Sequence, residues 1–247
     1  METTYNRNKY YISDFNQQLI RQYKMLFAGC GIGSNIAECA LRMGFENQTL
    51  IDGDNVEITN LNRQDYMHDD IDNAKSDALK KRLLSINPHA TITSKNIFLC
   101  KENIEECLFN HDVAINALDF QSDTPFKFDE LCQRHNIPVL HPYNIGWATL
   151  VFVVLPNGLN LSSISTDYKA FEKKVAAFLI EKINGYSKEW IQDILSQYEN
   201  EGKGQSPPQL SVGSWLAGGV CANILYRLAT KKTVRQFPDF YFLTAEE

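Results

Sequence analysis

No two cysteines in this sequence are spaced as Cys-x-x-Cys. The six, Cys30, Cys39, Cys100, Cys107, Cys132 and Cys221, are scattered, which excludes a four-cysteine zinc module and gives no pattern for a disulfide framework. No zinc is expected. No apolar run approaches the roughly 20 residues needed to span a bilayer. The stretch from Met1 to Lys24 is polar and lacks the apolar core of a signal peptide. A cytoplasmic location and no membrane partner are the expectation. Positive charge is in deficit: 24 Lys and Arg against 30 Asp and Glu give a net charge of −6. That balance argues against broad binding to nucleic acid or anionic lipid, although a local basic patch would still admit tRNA. His68, His89, His111, His135 and His141 have no metal-ligand spacing, and no internal repeat or low-complexity tract is evident.

What the chain does contain is alternation. At 247 residues, with 44% hydrophobic and 22% charged residues, it suits one α/β domain with a sizeable core. Apolar strands are predicted near 24–28, 47–51, 90–94, 112–116 and 138–141. Helical segments are predicted near 10–21, 33–43, 72–86, 102–109 and 123–135. Strands separated by helices imply a Rossmann-like, doubly wound and mostly parallel sheet. Ser34 or Asn35 is expected to begin the first crossover helix and Gly44 to end it. Pro138 starts the fifth strand. His141 is expected just past that strand, in a turn or lining a cleft.

After Gly146 the character changes. Ala148 to Leu155 is a β-rich run closed by Pro156-Asn157-Gly158, a turn signal, and the sheet is expected to be extended by antiparallel strands in this half. Residues 167–200 read as two helices broken near Gly185, with Phe171, Val175, Phe178, Leu179 and Ile183 on one apolar face, a pattern of core packing or of a partner helix. The polar segment from Glu201 to Pro208 is either a crossover loop over a site or a solvated linker. Helix 211–230 and a strand near 240–243 complete the sheet and a dimer surface. The division expected is an ATP-binding half over about 1–145 and a substrate-facing and dimerisation half over about 146–247.

The stretch from Met25 to Arg63 points to function. The strand Met25-Leu26-Phe27-Ala28 enters Gly29-Cys30-Gly31-Ile32-Gly33-Ser34, a turn that aims helix amides at a phosphate. The second strand ends in Asp52, placed to accept hydrogen bonds from a ribose. A glycine fingerprint alone fits a dehydrogenase as well as an ATP enzyme. Four further motifs accompany Asp52-Gly53-Asp54: Asn60-Leu61-Asn62-Arg63-Gln64, Asn73-Ala74-Lys75, Ile86-Asn87-Pro88 and Ala117-Leu118-Asp119. In order and spacing they resemble the ThiF/MoeB/HesA family, relatives of the ubiquitin-activating enzymes. Tyr5-Asn6-Arg7 is similar to the family's opening motif.

The resemblance implies an ATP-dependent adenylyltransferase, in which a carboxylate attacks the α-phosphate of ATP to give an acyl-adenylate and pyrophosphate. It implies Arg63 and Lys75 on the phosphates, Asn60 beside them, Asp52 on the ribose, Asp54 as a second acid and Asp119 on Mg2+. It also implies Arg7 reaching the nucleotide of a neighbouring subunit, hence a homodimer. Aligned back from Gly44 and Asp52, the family's G-x-G-G-x-G falls on Ala28 to Gly33, so Ala28 and Cys30 replace glycines while Gly31 and Gly33 remain for close approach to phosphate. Cys132 and Cys221, the only cysteines beyond Asp119, are read as packing thiols, so no enzyme thioester is expected. The carboxylate is expected to be the C-terminus of a small ubiquitin-like sulfur carrier or of a peptide. Alternatives are a tRNA threonylcarbamoyladenosine dehydratase-like enzyme and an inactive scaffolding subunit. Retention of Arg7, Arg63, Lys75 and Asp119 speaks against the scaffold.

Overall fold

In the computed structural model, which describes residues 4–169, 171–200 and 207–246, every second residue of the first strand faces the same helix layer. Met25 and Phe27 of β1 (Lys24–Ala28) pack into one core, and Leu26 and Ala28 into the other. A strand buried on both faces carries no polar side, which is why the run Met25 to Ala28 is continuously apolar. β1 leads through α2 (Ile32–Met43) to β2 (Asn47–Ile51), preceded by α1 (Asp14–Gln22). The chain continues through α3 (Lys75–Ile86), β3 (Thr91–Lys95), α4 (Ile104–Leu108), β4 (Val113–Asn116), α5 (Thr124–Arg134) and β5 (Val139–Ile145). It then adds β6 (Ala148–Val154), α6 (Phe171–Lys182), α7 (Tyr186–Asn200), α8 (Ser211–Ala229) and β7 (Tyr241–Thr244).

These strands form one seven-stranded sheet in the order β3-β2-β1-β4-β5-β6-β7. β3 to β5 in that order run parallel; β6 and β7 are antiparallel additions. Residues of α2, α3 and α8 cover one face, and residues of α4, α5, α6 and α7 the other. Each fully buried Leu, Ile or Phe in these layers contributes on the order of 1.5–3 kcal/mol. The chain winds from β1 toward β3 on one side and restarts at β4 on the other. The crevice between the ends of β1 and β4 is therefore a topological switch point, where ligands of such sheets bind.

The predicted elements are present, with three corrections. Helix α2 begins at Ile32, earlier than Ser34 or Asn35, with Gly31 as its N-cap. Ser34 lies inside the first turn and its Oγ donates to the Gly31 carbonyl at 2.7 Å. α1 begins only after Ser13, whose hydroxyl caps the Asn16 amide at 3.2 Å, so Tyr10 and Tyr11 lie outside it. β5 continues to Ile145, because β6 pairs with it in register from Val139↔Val154 to Ile145↔Ala148. His141 is consequently neither in a turn nor past a strand. It is buried within β5, with Nε2 2.9 Å from Asp129.

Phe171, Val175 and Leu179 are buried, with Phe178 and Ile183 packed at the margin of the same core. Gly44 ends α2 in the left-handed conformation at φ 116°. Cys132 and Cys221 are buried free thiols. Of the polar segment 201–208, residues 201–206 lie outside the described residues. Among those described, no helix is long and apolar enough to cross a membrane.

Candidate active site

The turn after β1 is built on Gly29. Its φ is +95°, and a Cβ there would stand 2.4 Å from the Ala117 carbonyl oxygen, so only glycine fits. The glycine positions of the family pattern fall instead on Ala28, Cys30, Gly31 and Gly33. Ala28, which replaces one of them, is simply the last buried residue of β1. Backbone bonds carry the sheet into the turn: Gly29 N–H donates to Ile51 at 2.9 Å and Ala117 N–H to Ala28 at 2.8 Å. The ends of β1, β2 and β4 are thus in register, with Ala28 opposite both Ile51 and Asn116. Asp52 follows one of these ends and Asp119 another.

Cys30, the second replacement, contributes through its backbone. Its amide donates to Asp52 Oδ2 at 2.7 Å, and Asp52 Oδ1 accepts the Asp54 amide at 2.8 Å. Burial raises the Asp52 pKa above the usual carboxylate value, with the two amide bonds and Lys75 opposing it. The Cys30 thiol is itself buried, and its pKa is raised by that burial and by the Asp52 charge. Gly31 and Gly33 open α2. The Ser34 amide donates to the Gly31 carbonyl at 3.1 Å, and the amides ahead of it are those a helix start leaves without an intrahelical acceptor. A Cβ at Gly31 would lie 3.4 Å from Gln64 Nε2, and Gln64 Oε1 is buried with no hydrogen-bond partner among the described residues.

Lys75 and Asp54 are joined twice. Lys75 N–H donates to the Asp54 carbonyl at 2.9 Å, and its Nζ lies 3.1 Å from Asp54 Oδ2. Lys75 is 9% exposed, so its stem is fixed at the start of α3 and its ammonium is aimed. Tyr66 ties this lysine to the turn: its hydroxyl is 2.8 Å from the Cys30 carbonyl and 3.3 Å from the Lys75 carbonyl.

Asn60 and Arg63 share a 3-10 turn, Ile58–Asn60, and its exit. Asn60 is buried, and its Oδ1 accepts the Glu57 amide at 3.0 Å while its carbonyl accepts Arg63 and Gln64 amides at 3.1 and 2.9 Å. Arg63 Nη1 donates to the Thr59 carbonyl and to Asn62 Oδ1, each at 2.7 Å, and its Nε donates to Gln209 Oε1. Gln209, which begins the approach to α8, and Tyr66 were not singled out from sequence. Their partners are 146 and 36 residues away, and no local pattern reports such contacts.

Asp119 stands exposed beyond β4. Even so, the protein atoms crowding its carboxyl raise its pKa, as do the like charges of Glu172 and Asp54, against Lys75 and Arg63. Partial burial lowers the pKa of Arg63, opposed by Asp119; its guanidinium remains charged at neutral pH. The structure therefore gathers Gly31, Gly33, Asp52, Asp54, Asn60, Arg63, Lys75 and Asp119 at one end of the sheet. Arg7 is apart from them. It lies in the turn Asn6–Asn8, where Asn8 Nδ2 donates to the Met43 carbonyl at 2.9 Å and the Tyr5 hydroxyl to Leu41 at 3.3 Å. Those carbonyls belong to the far end of α2, about 15 Å from Gly31 at 1.5 Å per residue.

Comparison with known proteins gives this arrangement relatives. The chain is 28% identical over 162 residues to the sulfur carrier protein ThiS adenylyltransferase of Bacillus subtilis, covering 63% of this chain and 48% of that protein. It is 32% identical over 124 residues to the tRNA threonylcarbamoyladenosine dehydratase of Haemophilus influenzae, covering 49% of this chain and 47% of that one. The chain thus spans about half the length of these relatives. In fold it superposes on E. coli MccB crystallised with ATP with a TM-score of 0.74 at 18% identity, over 100% of this chain and 70% of that one. The ThiF family model matches residues 5–246, nearly the whole sequence, and the chain belongs to the ThiF family.

Proposed function

We propose that the protein is an ATP-dependent adenylyltransferase that activates a carboxylate, the C-terminus of a peptide or of a small ubiquitin-like sulfur carrier. The carrying observation is the convergence of Lys75, Asp54, Arg63 and Asp119 on the crevice between β1 and β4, beside a turn built for close backbone approach. The relatives named adenylyltransferases and the likeness to a fold crystallised with ATP support it.

The residues fit a magnesium-bound triphosphate. Gly31, half-buried at the N-cap of α2, leaves its backbone open to close approach while Gly33 packs toward Phe27 of β1; the amides opening α2 supply positive dipole ends, and Lys75 and Arg63 supply charge. Asp52, Asp54, Asp119 and Glu172 oppose those two cations, so the crevice needs further positive charge before it suits a polyanion. Asp119 would hold magnesium, which would supply part of it when bound. Arg7 of a second copy supplies the rest. Its distance from its own chain's turn supports action across a dimer, in which each site is completed by the other chain.

In this reading Asp52 keeps lone pairs for the ribose hydroxyls while its amide bonds fix the turn. Asn60 fixes the loop that presents Arg63, and Lys75 and Arg63 stabilise the charge that develops as the carboxylate oxygen attacks the α-phosphorus and pyrophosphate leaves. The attacking carboxylate is already ionised at neutral pH and requires no general base. Residues 1–145 carry the nucleotide, and residues 146–247 face the substrate and the second copy.

A thermal-shift titration with ATP and magnesium, with NAD in parallel, tests this reading. Ligand at a hundredfold excess over Kd adds about 2.7 kcal/mol to apparent stability. The shift should appear with ATP, vanish in Lys75→Ala and Asp119→Ala, and be followed by pyrophosphate exchange dependent on an added carboxylate. No shift with ATP in the parent protein would return the scaffold reading. The dehydratase relative at 32% identity supports a second reading, distinguished by exchange that depends on tRNA.

A further inference from the structure

From the edge inward, the parallel strands run β3, β2, β1. Under the function proposed above, on which this inference rests, phosphates lie at the turn after β1 and the ribose at Asp52 after β2. The base then continues in the same direction, toward the chain that leaves β3. Neighbouring strands are about 4.8 Å apart, so one strand spacing carries a purine from Asp52 to that exit. The two exits are joined directly, since Asp52 N–H donates to the Lys95 carbonyl at 3.2 Å.

Three residues beyond Lys95, the Phe98 ring folds back over Gly53. A Cβ on Gly53 would stand 2.6 Å from Cγ and Cδ2 of that ring, too close for any side chain to share the seat. The ring is nonetheless 68% exposed. Its backbone is braced: Asn103 Nδ2 donates to the Phe98 carbonyl at 2.9 Å, and Asn103 Oδ1 accepts the Cys100 amide at 2.9 Å. A large apolar ring held on a fixed backbone, one side on glycine and the other open to water, has the form of a stacking surface. It lies beside the residue that would hold the ribose.

We propose that Phe98 is the platform on which the nucleotide base stacks, and that Gly53 lacks a side chain so that the ring can lie against the acidic turn. Stacking recognises the π-face that every base presents, so Phe98 strengthens binding of the nucleoside part and leaves the phosphate contacts untouched. Phosphate recognition belongs to the turn after β1, Lys75 and Arg63. The two contributions are separable by experiment.

Binding of magnesium ATP and of magnesium tripolyphosphate to Phe98→Ala and Phe98→Trp, by calorimetry or competition, tests this. Phe98→Ala should weaken ATP by about tenfold or more, as loss of one base–aromatic stack does, and leave tripolyphosphate within about twofold. Phe98→Trp should restore ATP affinity, and Gly53→Ala, which pushes the ring off its seat, should repeat the alanine pattern. Unchanged ATP affinity in Phe98→Ala would overturn the proposal, and so would an equal loss of ATP and tripolyphosphate. A parent protein that binds no ATP would instead remove the functional reading beneath it. An unliganded unfolding curve for Phe98→Ala close to that of the parent keeps a folding defect from imitating the result.

Discussion

The Asp52 carboxylate accepts the Cys30 amide at 2.7 Å, locking the second strand's exit to the turn after the first. Its other oxygen accepts Asp54 N–H at 2.8 Å, so one side chain fixes both the turn and the segment that carries the partner of Lys75. Asp52→Ala should leave two amides unsatisfied and destabilise the fold by about 2–4 kcal/mol, since a lost bond to a charged group is worth about 1.5–3 kcal/mol. Asp52→Asn keeps one acceptor and should lose about half of that. Urea unfolding of the two variants checks the order; equal stability in both would detach the carboxylate from the turn.

Two glycines in the same turn should respond oppositely. Gly29→Ala brings a Cβ to 2.4 Å from the Ala117 carbonyl at a φ of +95°, and the obstacle is backbone. It should destabilise by at least about 2 kcal/mol. Gly33→Ala, within α2, meets only Phe27 Cδ1 of β1 at 3.7 Å, an ordinary van der Waals contact. That variant should fold at least as stably as the parent, gaining up to about 1 kcal/mol from helix propensity, while losing nucleotide affinity if phosphate approaches this backbone. Unfolding and ATP titrations on the same samples separate the two effects.

The period of the apolar residues made most of this sheet legible, because each parallel strand is a short apolar run and each helix an amphipathic one. Where the sequence misled, a distant partner decided. His141-Pro142-Tyr143-Asn144 looks like the end of a strand, since proline and polar residues interrupt the run. β6 nevertheless pairs with these positions through Asn144↔Thr149 and holds them extended. The acids and bases that the structure brings together at the candidate site stand out in the sequence through their spacing along motifs. The bonds that orient them, Tyr66 to Cys30 and Gln209 to Arg63, join residues far apart in the chain and leave no local trace.

Arg7→Ala should reduce turnover strongly with little change in unfolding temperature, because Arg7 is exposed and lies in a three-residue turn. If Arg7 acts across a dimer, mixing Arg7→Ala with Lys75→Ala chains should recover activity. A mixed dimer holds one site with its own Lys75 and the partner's Arg7, so random mixing returns about a quarter of parent activity. No recovery from chains shown to exchange would place Arg7 outside the site.

Beneath Arg63 and Gln64, Asp65 and Glu38 share a buried cluster with Arg82, whose Nη2 is 2.7 Å from Asp65 and whose Nε is 2.6 Å from Glu38. Burial and the bond to Glu38 push the Asp65 pKa up to about 7. Burial alone would raise Glu38 too, yet bonds from Asp65, Arg42 and Arg82 hold it down at about 2. The two carboxyls therefore share one proton at mildly acidic pH. Asp65, with its folded pKa above the ordinary 3.8, contributes stability that is full below that value and disappears as pH rises through about 7. Glu38, with its folded pKa below the ordinary 4.5, contributes above that value and loses it as pH falls through about 2. Stability from this pair should thus fall as pH rises from about 4 to about 7, by on the order of 1–3 kcal/mol at about 1.4 kcal/mol per pKa unit. Asp65→Asn cannot ionise and should flatten that limb, while Glu38→Gln should weaken the acid limb and release the Asp65 proton at lower pH. Thermal unfolding of the three proteins from about pH 2 to about pH 8 measures both effects, and a parallel decline in Asp65→Asn and the parent through the upper part of that range would assign the loss to other groups.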